Sequence, residues 1–234
     1  MMSLAELRKE LEQRADSKQA TLLQRFFKTG KGEYGEGDVF LGIRGSVQRD
    51  VAKQYKNLTL NEIQELLNSK IHEHRQTALF VLINKYTKAD LEVRKEIFEL
   101  YLKNINNINN WDLVDLSAPN IVGNYLLDKD RSILYKLAKS SSLWEKRISI
   151  LATFEFIRNK ETKDALAIAE ILLKDKHDLI HKAVGWMLRE LGKRVSQEAE
   201  EKFLRKHYKA MPRTMLRYAI ERFDNKKKEF YMRK

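Results

Sequence analysis

The sequence has no cysteine, and its 234 residues include only two prolines and nine glycines. The lack of cysteine rules out disulfides and thiolate metal ligands and fits a reducing compartment. So few helix-breaking residues favour an all-helical chain over a sheet-rich one. No stretch approaches the roughly 20 apolar residues of a membrane span, and MMSLAELRKELEQR at the start lacks the apolar region of a signal peptide. We therefore expect an all-α cytoplasmic protein.

The positive charge is concentrated in the second half of the chain. Residues 1–128 contain 18 Lys/Arg and 18 Asp/Glu, whereas residues 129–234 contain 27 and 15, so that 27 − 15 = +12 is the whole net charge. A basic surface favours a polyanionic partner, because neutralising phosphates releases condensed counterions. The alternative is a basic helical domain with no such partner, or a charged C-terminal tail. The balance favours nucleic acid.

Helical periodicity recurs with a period of about 35 residues beyond residue 46. Four segments follow polar breaks: HEHRQTALFVLINKY, NNWDLVDLSAPNIVG, LWEKRISILATFEFI and LIHKAVGWMLREL. Arg75, Trp111, Arg147 and Lys182 share one register in them, at separations of 36, 36 and 35 residues. Second helices such as LEVRKEIFELYLKNI lie between these segments. The pattern predicts a HEAT-like α-solenoid of stacked antiparallel helix pairs, in which this register and the positions four residues later face a ligand.

Capping signals and a glycine-rich stretch define the remaining organisation. Thr59 with Glu62, and Ser142 with Glu145, are spaced as capping boxes. Segment 30–45, GKGEYGEGDVFLGIRG, includes a GxGxxG match, but a dinucleotide site requires a preceding strand. Here the preceding SKQATLLQRFFKT is predicted to be helical, so we interpret the segment as a flexible loop. The prediction is one HEAT-like domain over 1–234, with N-terminal helices and loop in 1–45 and repeats in 46–234.

The predicted ligand-facing register combines aromatic rings with charge. Trp111 and Asp115 are four residues apart, on one helical face, and Trp186 follows Lys182 by four. With Arg147, they would place two indoles, one carboxylate and two cations in one groove. Two indoles beside a carboxylate form a site for a cation or a developing cation. The alternative is a structural ladder of Asp and Arg/Lys, with the tryptophans in the core.

Several stretches resemble the AlkD-type DNA glycosylases, HEAT-like proteins that excise alkylated purines. They are FLGIR at 40–44, NNWDLVDLSAPNIVG, SLWEKRISILATF and IHKAVGWMLRELGK at 180–193. The resemblance implies that Trp111, Asp115 and Trp186 form the catalytic cleft and that Arg147 binds a phosphate. It also implies that the lesion remains stacked in the duplex. We assign further DNA contacts to the basic residues Lys182, Arg44, Lys146 and Arg189.

Three positions depart from the family pattern. Asn110 stands where a second tryptophan occurs, Phe26 replaces a cleft tyrosine, and Arg44 replaces a glutamine that faces DNA. These changes leave the catalytic trio intact and bear on the substrate range.

The expected activity is hydrolysis of N-glycosidic bonds of N3- or N7-alkylated purines in duplex DNA, for base excision repair. The expected enzyme is a monomer, associated with the nucleoid when bound to DNA, that uses no cofactor and no metal. The histidine pairs His72/His74 and His177/His181 lack a metal-binding motif, and we interpret them as surface residues or phosphate contacts. Alternatives are a non-catalytic HEAT-like nucleic-acid-binding protein and a protein-binding scaffold.

Overall fold

The computed structural model of the protein describes residues 3–233, and their regular structure is helical. A single bridge between Val39 and Ile71 is the one β-type pairing in this range. The predicted fold class, an all-α helical repeat, is confirmed. The helices are α1 Leu4–Gln13, α2 Ser17–Phe26, α3 Gly45–Gln54, α4 Leu60–Leu67, α5 His72–Lys88, α6 Leu91–Lys103, α7 Trp111–Ser117, α8 Ser132–Ala138, α9 Leu143–Arg158, α10 Lys163–Leu172, α11 Asp178–Arg194, α12 Gln197–His207, α13 Arg213–Ala219 and α14 Asn225–Met232.

The chain divides into two compact units, one extending to Leu113 and the other beginning at Val114. The first has 18 Lys/Arg and 16 Asp/Glu, a net charge of 18 − 16 = +2, and the second has 27 and 17, a net charge of 27 − 17 = +10. Most of the positive charge therefore belongs to the second unit. The single domain over 1–234 stays a prediction.

The second unit repeats one stacking contact along the chain. Four contacts between successive helices of this unit, from α7 to the short helix Ile220–Arg222 that follows α13, each join residues 32 positions apart. The pairs are Asp115 with Arg147, Arg147 with Leu179, Phe154 with Trp186, and Arg189 with Glu221. A constant separation means that each helix lies alongside the one a repeat earlier, running in the same direction. This is the arrangement that the sequence period predicts.

Gly185 permits a close approach between α11 and α13. A Cβ atom there would lie 2.4 Å from the Met215 carbonyl oxygen and 2.5 Å from Tyr218 Cβ. Both distances are shorter than van der Waals contact, and one involves backbone that cannot rotate away. Glycine at this position therefore determines how closely the two helices pack.

The glycine-rich segment of the first unit is anchored to α5. The Glu73 carboxylate, which is buried, accepts hydrogen bonds from the backbone N–H groups of Leu41, Gly42 and Ile43 at 2.9, 2.8 and 3.2 Å. Gly42 has φ +88°, a left-handed conformation that suits glycine. The expected loop is thus held in place at residues 41–43. It follows helix α2, as predicted, and not a strand.

Side-chain caps begin α4 and α9 where the sequence places them. Thr59 and Glu62 form a reciprocal capping box, and the Ser142 hydroxyl accepts the Glu145 N–H. Of the helices in residues 3–233, none combines the length and apolarity needed to span a membrane.

Candidate functional site

The central feature of the second unit is the carboxylate of Asp115 on α7, which is held in place by an arginine. Arg147 of α9 donates from Nε to Oδ1 and from Nη2 to Oδ2, both at 2.7 Å, a bidentate pair that fixes the plane of the carboxylate. The Arg147 side chain is 5% exposed and that of Asp115 is 18% exposed. The oriented Asp115 side chain is therefore partly exposed to solvent.

Arg147 belongs to a ladder between successive helices. Its third nitrogen, Nη1, donates to the Leu179 carbonyl of α11 at 2.5 Å. All three guanidinium nitrogens thus have partners within the protein. The predicted phosphate contact of Arg147 stays a prediction, and the geometry favours a positioning role beside Asp115.

The shared register differs from the expectation at its arginines. Arg75 is 4% exposed and pairs with Asp38, and Arg147 is also 4% exposed. Leu79 and Leu151, four residues after them, are fully buried. These positions are therefore buried, contrary to the expectation, because both arginines pair with carboxylates inside the protein.

Trp111, the first residue of α7, lies in an aromatic cluster of the first unit. Its ring stacks on Phe27 at a centroid distance of 5.2 Å and 28° between planes, and the edge contact with Phe26 is 5.8 Å. Trp111 is half-buried, whereas Phe26 is 63% exposed. Phe26, which stands in place of the tyrosine of the family pattern, therefore packs an aromatic ring against Trp111 but has no hydroxyl.

Trp186 is the aromatic residue of the second unit's candidate site. It is partly exposed on α11, and its ring lies 5.9 Å from that of Phe154 on α9. Partial exposure leaves ring surface for a ligand. The convergence of Trp111 with Trp186 stays a prediction from the sequence.

Three of the basic residues assigned to DNA lie in ion pairs. Lys182 contacts Asp178 at 2.7 Å, Lys146 contacts Asp175 at 2.6 Å, and Arg189 pairs with Glu221 and, at 3.6 Å, with Glu190. The Lys182–Asp178 pair is exposed on both sides, and such pairs contribute little to stability. A phosphate could therefore replace Asp178 as the partner of Lys182 at low cost.

Arg44, in the first unit, is exposed and precedes α3. It lines a cavity of about 250 Å³ together with Phe27, Phe40 and His72. Its predicted contact with DNA stays a prediction.

A buried polar network that the sequence did not indicate lies behind Trp111. His72 bonds Asp38 through Nδ1 at 2.9 Å and Asp112 through Nε2 at 2.8 Å, and Arg75 pairs with Asp38. Burial favours neutral imidazole, but Asp112 and Asp38 together raise the pKa of His72 to about 9. The interpretation of His72 and His74 as surface residues is wrong, since they are 2% and 4% exposed.

The same network explains why asparagine stands at position 110. Asn110 is fully buried; its amide nitrogen donates to Asp38 at 3.2 Å and its oxygen accepts the Trp111 N–H at 2.8 Å. It lies directly before α7, whose first residue is Trp111. An indole could not make both bonds, because it has one donor and no acceptor.

The second histidine pair has local structural contacts. His177 Nδ1 accepts the Leu179 N–H at the start of α11, and His181 Nε2 donates to the Asp175 carbonyl at 2.6 Å. Within residues 3–233 no three His, Cys, Asp or Glu side chains are grouped as metal ligands.

The fold and the arginine-bound Asp115 define a class of protein, a helical repeat whose candidate site combines charged and aromatic side chains. A family model described as DNA alkylation repair enzyme matches residues 7–223, and the chain belongs to that family. A solved structure described as "Predicted DNA alkylation repair enzyme from Enterococcus faecalis" is 14% identical, with a TM-score of 0.70 over 91% of this chain and 98% of the other. At that identity the likeness shows the fold. The search of curated proteins found no match.

Proposed function

We propose that this member of the DNA alkylation repair family is a glycosylase that hydrolyses the N-glycosidic bond of N3- or N7-alkylated purines in duplex DNA. The observation that carries the proposal is the Asp115 carboxylate, oriented by two 2.7 Å bonds from Arg147 and partly exposed. An oriented anion needs little reorganisation when positive charge develops beside it.

The chemistry of the substrate matches such a site. A purine alkylated at N3 or N7 is cationic, and its glycosidic bond is already weakened. Bond cleavage develops positive charge on the deoxyribose, as in other oxocarbenium-like transfers. Asp115 would stabilise that charge and orient the attacking water, and the faces of Trp111 and Trp186 would attract the cation.

The basic second unit supports a DNA substrate. Its net charge of 27 − 17 = +10 favours the approach of a polyanion. Exposed ion pairs such as Lys182–Asp178 can exchange a carboxylate for a phosphate. We propose that the protein acts as a monomer that grips the backbone while the lesion remains stacked.

Release of free base separates this activity from binding alone. Wild-type protein and Asp115→Asn would be incubated with duplex DNA containing 7-methylguanine, and the released base quantified by chromatography. We expect release by the wild type and a loss on the order of 10²-fold or more in Asp115→Asn, because the amide lacks the negative charge. DNA affinity should be retained in the variant.

Three other results would contradict the proposal or its catalytic assignment. Salt-dependent DNA binding without base release would favour the non-catalytic nucleic-acid-binding alternative. Absence of DNA binding at low salt would favour a protein-binding scaffold. Full activity of Asp115→Asn would remove the catalytic assignment even if the wild type releases base.

A further inference from the structure

The repeat register continues one member beyond the four identified in the sequence. Arg217 follows Lys182 by 35 residues, the same separation that divides Arg147 from Lys182. It lies on α13, which neighbours α11 as α11 neighbours α9. The position equivalent to Arg147 and Lys182 in the last repeat is therefore an arginine.

Contacts at both ends of α13 place Arg217 on the same side as the α11 register residues. The Thr214 hydroxyl hydrogen-bonds the Asp178 carboxylate, and Glu221 pairs with Arg189. Positions 214 and 217 are one turn apart on α13 and therefore form one stripe, and Glu221 lies in the short helix that follows α13, at Ile220–Arg222. Arg217, between the two contacts, belongs to that stripe.

The α11 side of this surface carries Trp186, one residue of the candidate site. Asp178, Lys182, Trp186 and Arg189 recur at helical spacing, and each is exposed or partly exposed. We call the two rows together, Asp178, Lys182, Trp186 and Arg189 with Thr214, Arg217 and Glu221, the α11–α13 face. Trp186 and Arg217 thus lie on one continuous surface of the second unit.

Arg217 differs from the other cations of the register in its surroundings. Arg75 and Arg147 are buried in pairs with carboxylates, and Lys182 contacts Asp178. Arg217 is exposed, and nowhere in residues 3–233 does its side chain have a hydrogen-bond, ion-pair or ring partner. Its guanidinium is available to an external anion.

We propose that Arg217 binds a backbone phosphate of duplex DNA, on the same face as Trp186. The inference rests on the proposed function, because it supplies the grip on the backbone that a stacked-lesion mechanism requires. The planar guanidinium matches two phosphate oxygens, and arginine is well suited to such bidentate contacts. Phosphate contacts position a protein on the duplex without reading the base. Arg217 is thus a positioning residue.

The test compares Arg217→Gln and Arg217→Lys with a charge-matched control, Lys202→Gln. Lys202 is exposed on α12, which contributes no residue to the α11–α13 face. Affinity for undamaged and 7-methylguanine-containing duplexes would be measured over a salt series. We expect Arg217→Gln to weaken binding to both duplexes alike and to lower the salt slope by about one, since one phosphate contact is lost. Arg217→Lys should retain the slope, and Lys202→Gln should match the wild type.

Each other outcome overturns a defined part of the argument. Equal effects of Arg217→Gln and Lys202→Gln would mean a diffuse charge effect and no phosphate site at Arg217. An unchanged slope with a lower melting temperature would make Arg217 structural. In both cases wild-type base release would leave the proposed function standing. Failure of the wild type to bind any duplex would overturn the proposed function and this inference together.

Discussion

At the scale of single residues, Arg147 determines how Asp115 is presented. Two of its nitrogens hold the carboxylate and the third holds the Leu179 carbonyl, so one side chain links three successive helices. Buried arginines of this kind orient their partners, whereas phosphate-binding arginines need exposed donors. The buried guanidinium therefore favours a positioning role for Arg147.

Removal of the Arg147 side chain tests these roles. Arg147→Ala should lower the free energy of unfolding by about 3 kcal/mol, the lower end for breaking a buried pair, because Asp115 is partly exposed. Base release should fall, because the carboxylate loses its orientation. Affinity for undamaged duplex and its salt slope should stay unchanged. A slope lower by about one in both damaged and undamaged DNA would instead establish a phosphate contact.

Burial determines how the ionisation of Glu200 affects the stability of the protein. It is 2% exposed, its Oε1 has no partner within residues 3–233, and burial, with Glu201 nearby, raises its pKa to about 8. A raised folded-state pKa means that the folded protein binds the proton more tightly than the unfolded chain. The contribution to stability is full below the ordinary pKa of 4.5 and is lost as pH rises through about 8.

Glu200→Gln should therefore stabilise the protein at alkaline pH. The amide keeps the shape without ionising, so the difference in unfolding free energy between variant and wild type should increase from pH 5 to pH 9. The increase is at most about 1.4 kcal/mol per pH unit. Urea titrations of both proteins across this pH range provide the measurement. Because both proteins contain the same other titratable groups, such as His72, the contributions of those groups cancel when the two unfolding free energies are subtracted. A difference independent of pH would show that Glu200 is solvated.

At the scale of helices, close packing of α11 on α13 defines the surface that carries Trp186 and Arg217. Gly185 precedes Trp186 directly, and its missing side chain lets the α13 backbone approach. The positions of these helices depend on a residue that makes no polar contact. A change there would move the aromatic and basic residues relative to each other.

Gly185→Ala should destabilise the protein although alanine favours helix. Alanine gains about 1 kcal/mol in an exposed helix interior, but here its Cβ would clash with the Met215 carbonyl oxygen. We expect a net loss of about 1–3 kcal/mol, typical of overpacking. Gly45→Ala is the matched control, because the nearest atom that a Cβ there would meet, Gln76 Oε1, is 3.7 Å away. Thermal melts that show the two variants equally stable would refute the close approach.

At the scale of the whole molecule, the charge distribution fits the proposed substrate, a polyanion that carries a cationic lesion. The net charge of +12 attracts the phosphate backbone, whereas the partly exposed carboxylate of Asp115 is suited to a positive centre. The proposed trio of Trp111, Asp115 and Trp186 contains no group suited to protonating a neutral leaving base. Asp115 must remain ionised to stabilise the sugar cation.

Cationic lesions should therefore be better substrates than neutral ones. We expect 7-methylguanine to be excised well and hypoxanthine poorly in otherwise identical duplexes, because the neutral base requires protonation before it leaves. Single-turnover rates on the two duplexes provide the comparison, with Asp115→Asn as the inactive control. Comparable rates would require a base-protonating group and would exclude this mechanism.

The sequence alone was sufficient for the helical class, the period of about 35 residues and the candidate trio. Helix signals are local: caps such as Thr59 with Glu62, the 3.6-residue apolar spacing and the scarcity of proline and glycine all act within one or two turns. The repeat is visible for the same reason, since each helix pair has the same local pattern. The 35-residue spacing between Lys182 and Arg217 was also visible in the sequence. Only the structure shows that the Arg217 side chain is exposed, which the proposed phosphate contact requires.

Only the tertiary structure decided which charged residues face each other. His72 meets Asp38 and Asp112, which are 34 and 40 residues away, and no short-range pattern links them. The same is true of Arg147, which the register placed beside Lys182 but which folding buries against Asp115. A buried charge requires a partner, and that partner is brought close only when the helices stack. Which arginines hold the protein together and which remain available to DNA is therefore a property of the fold.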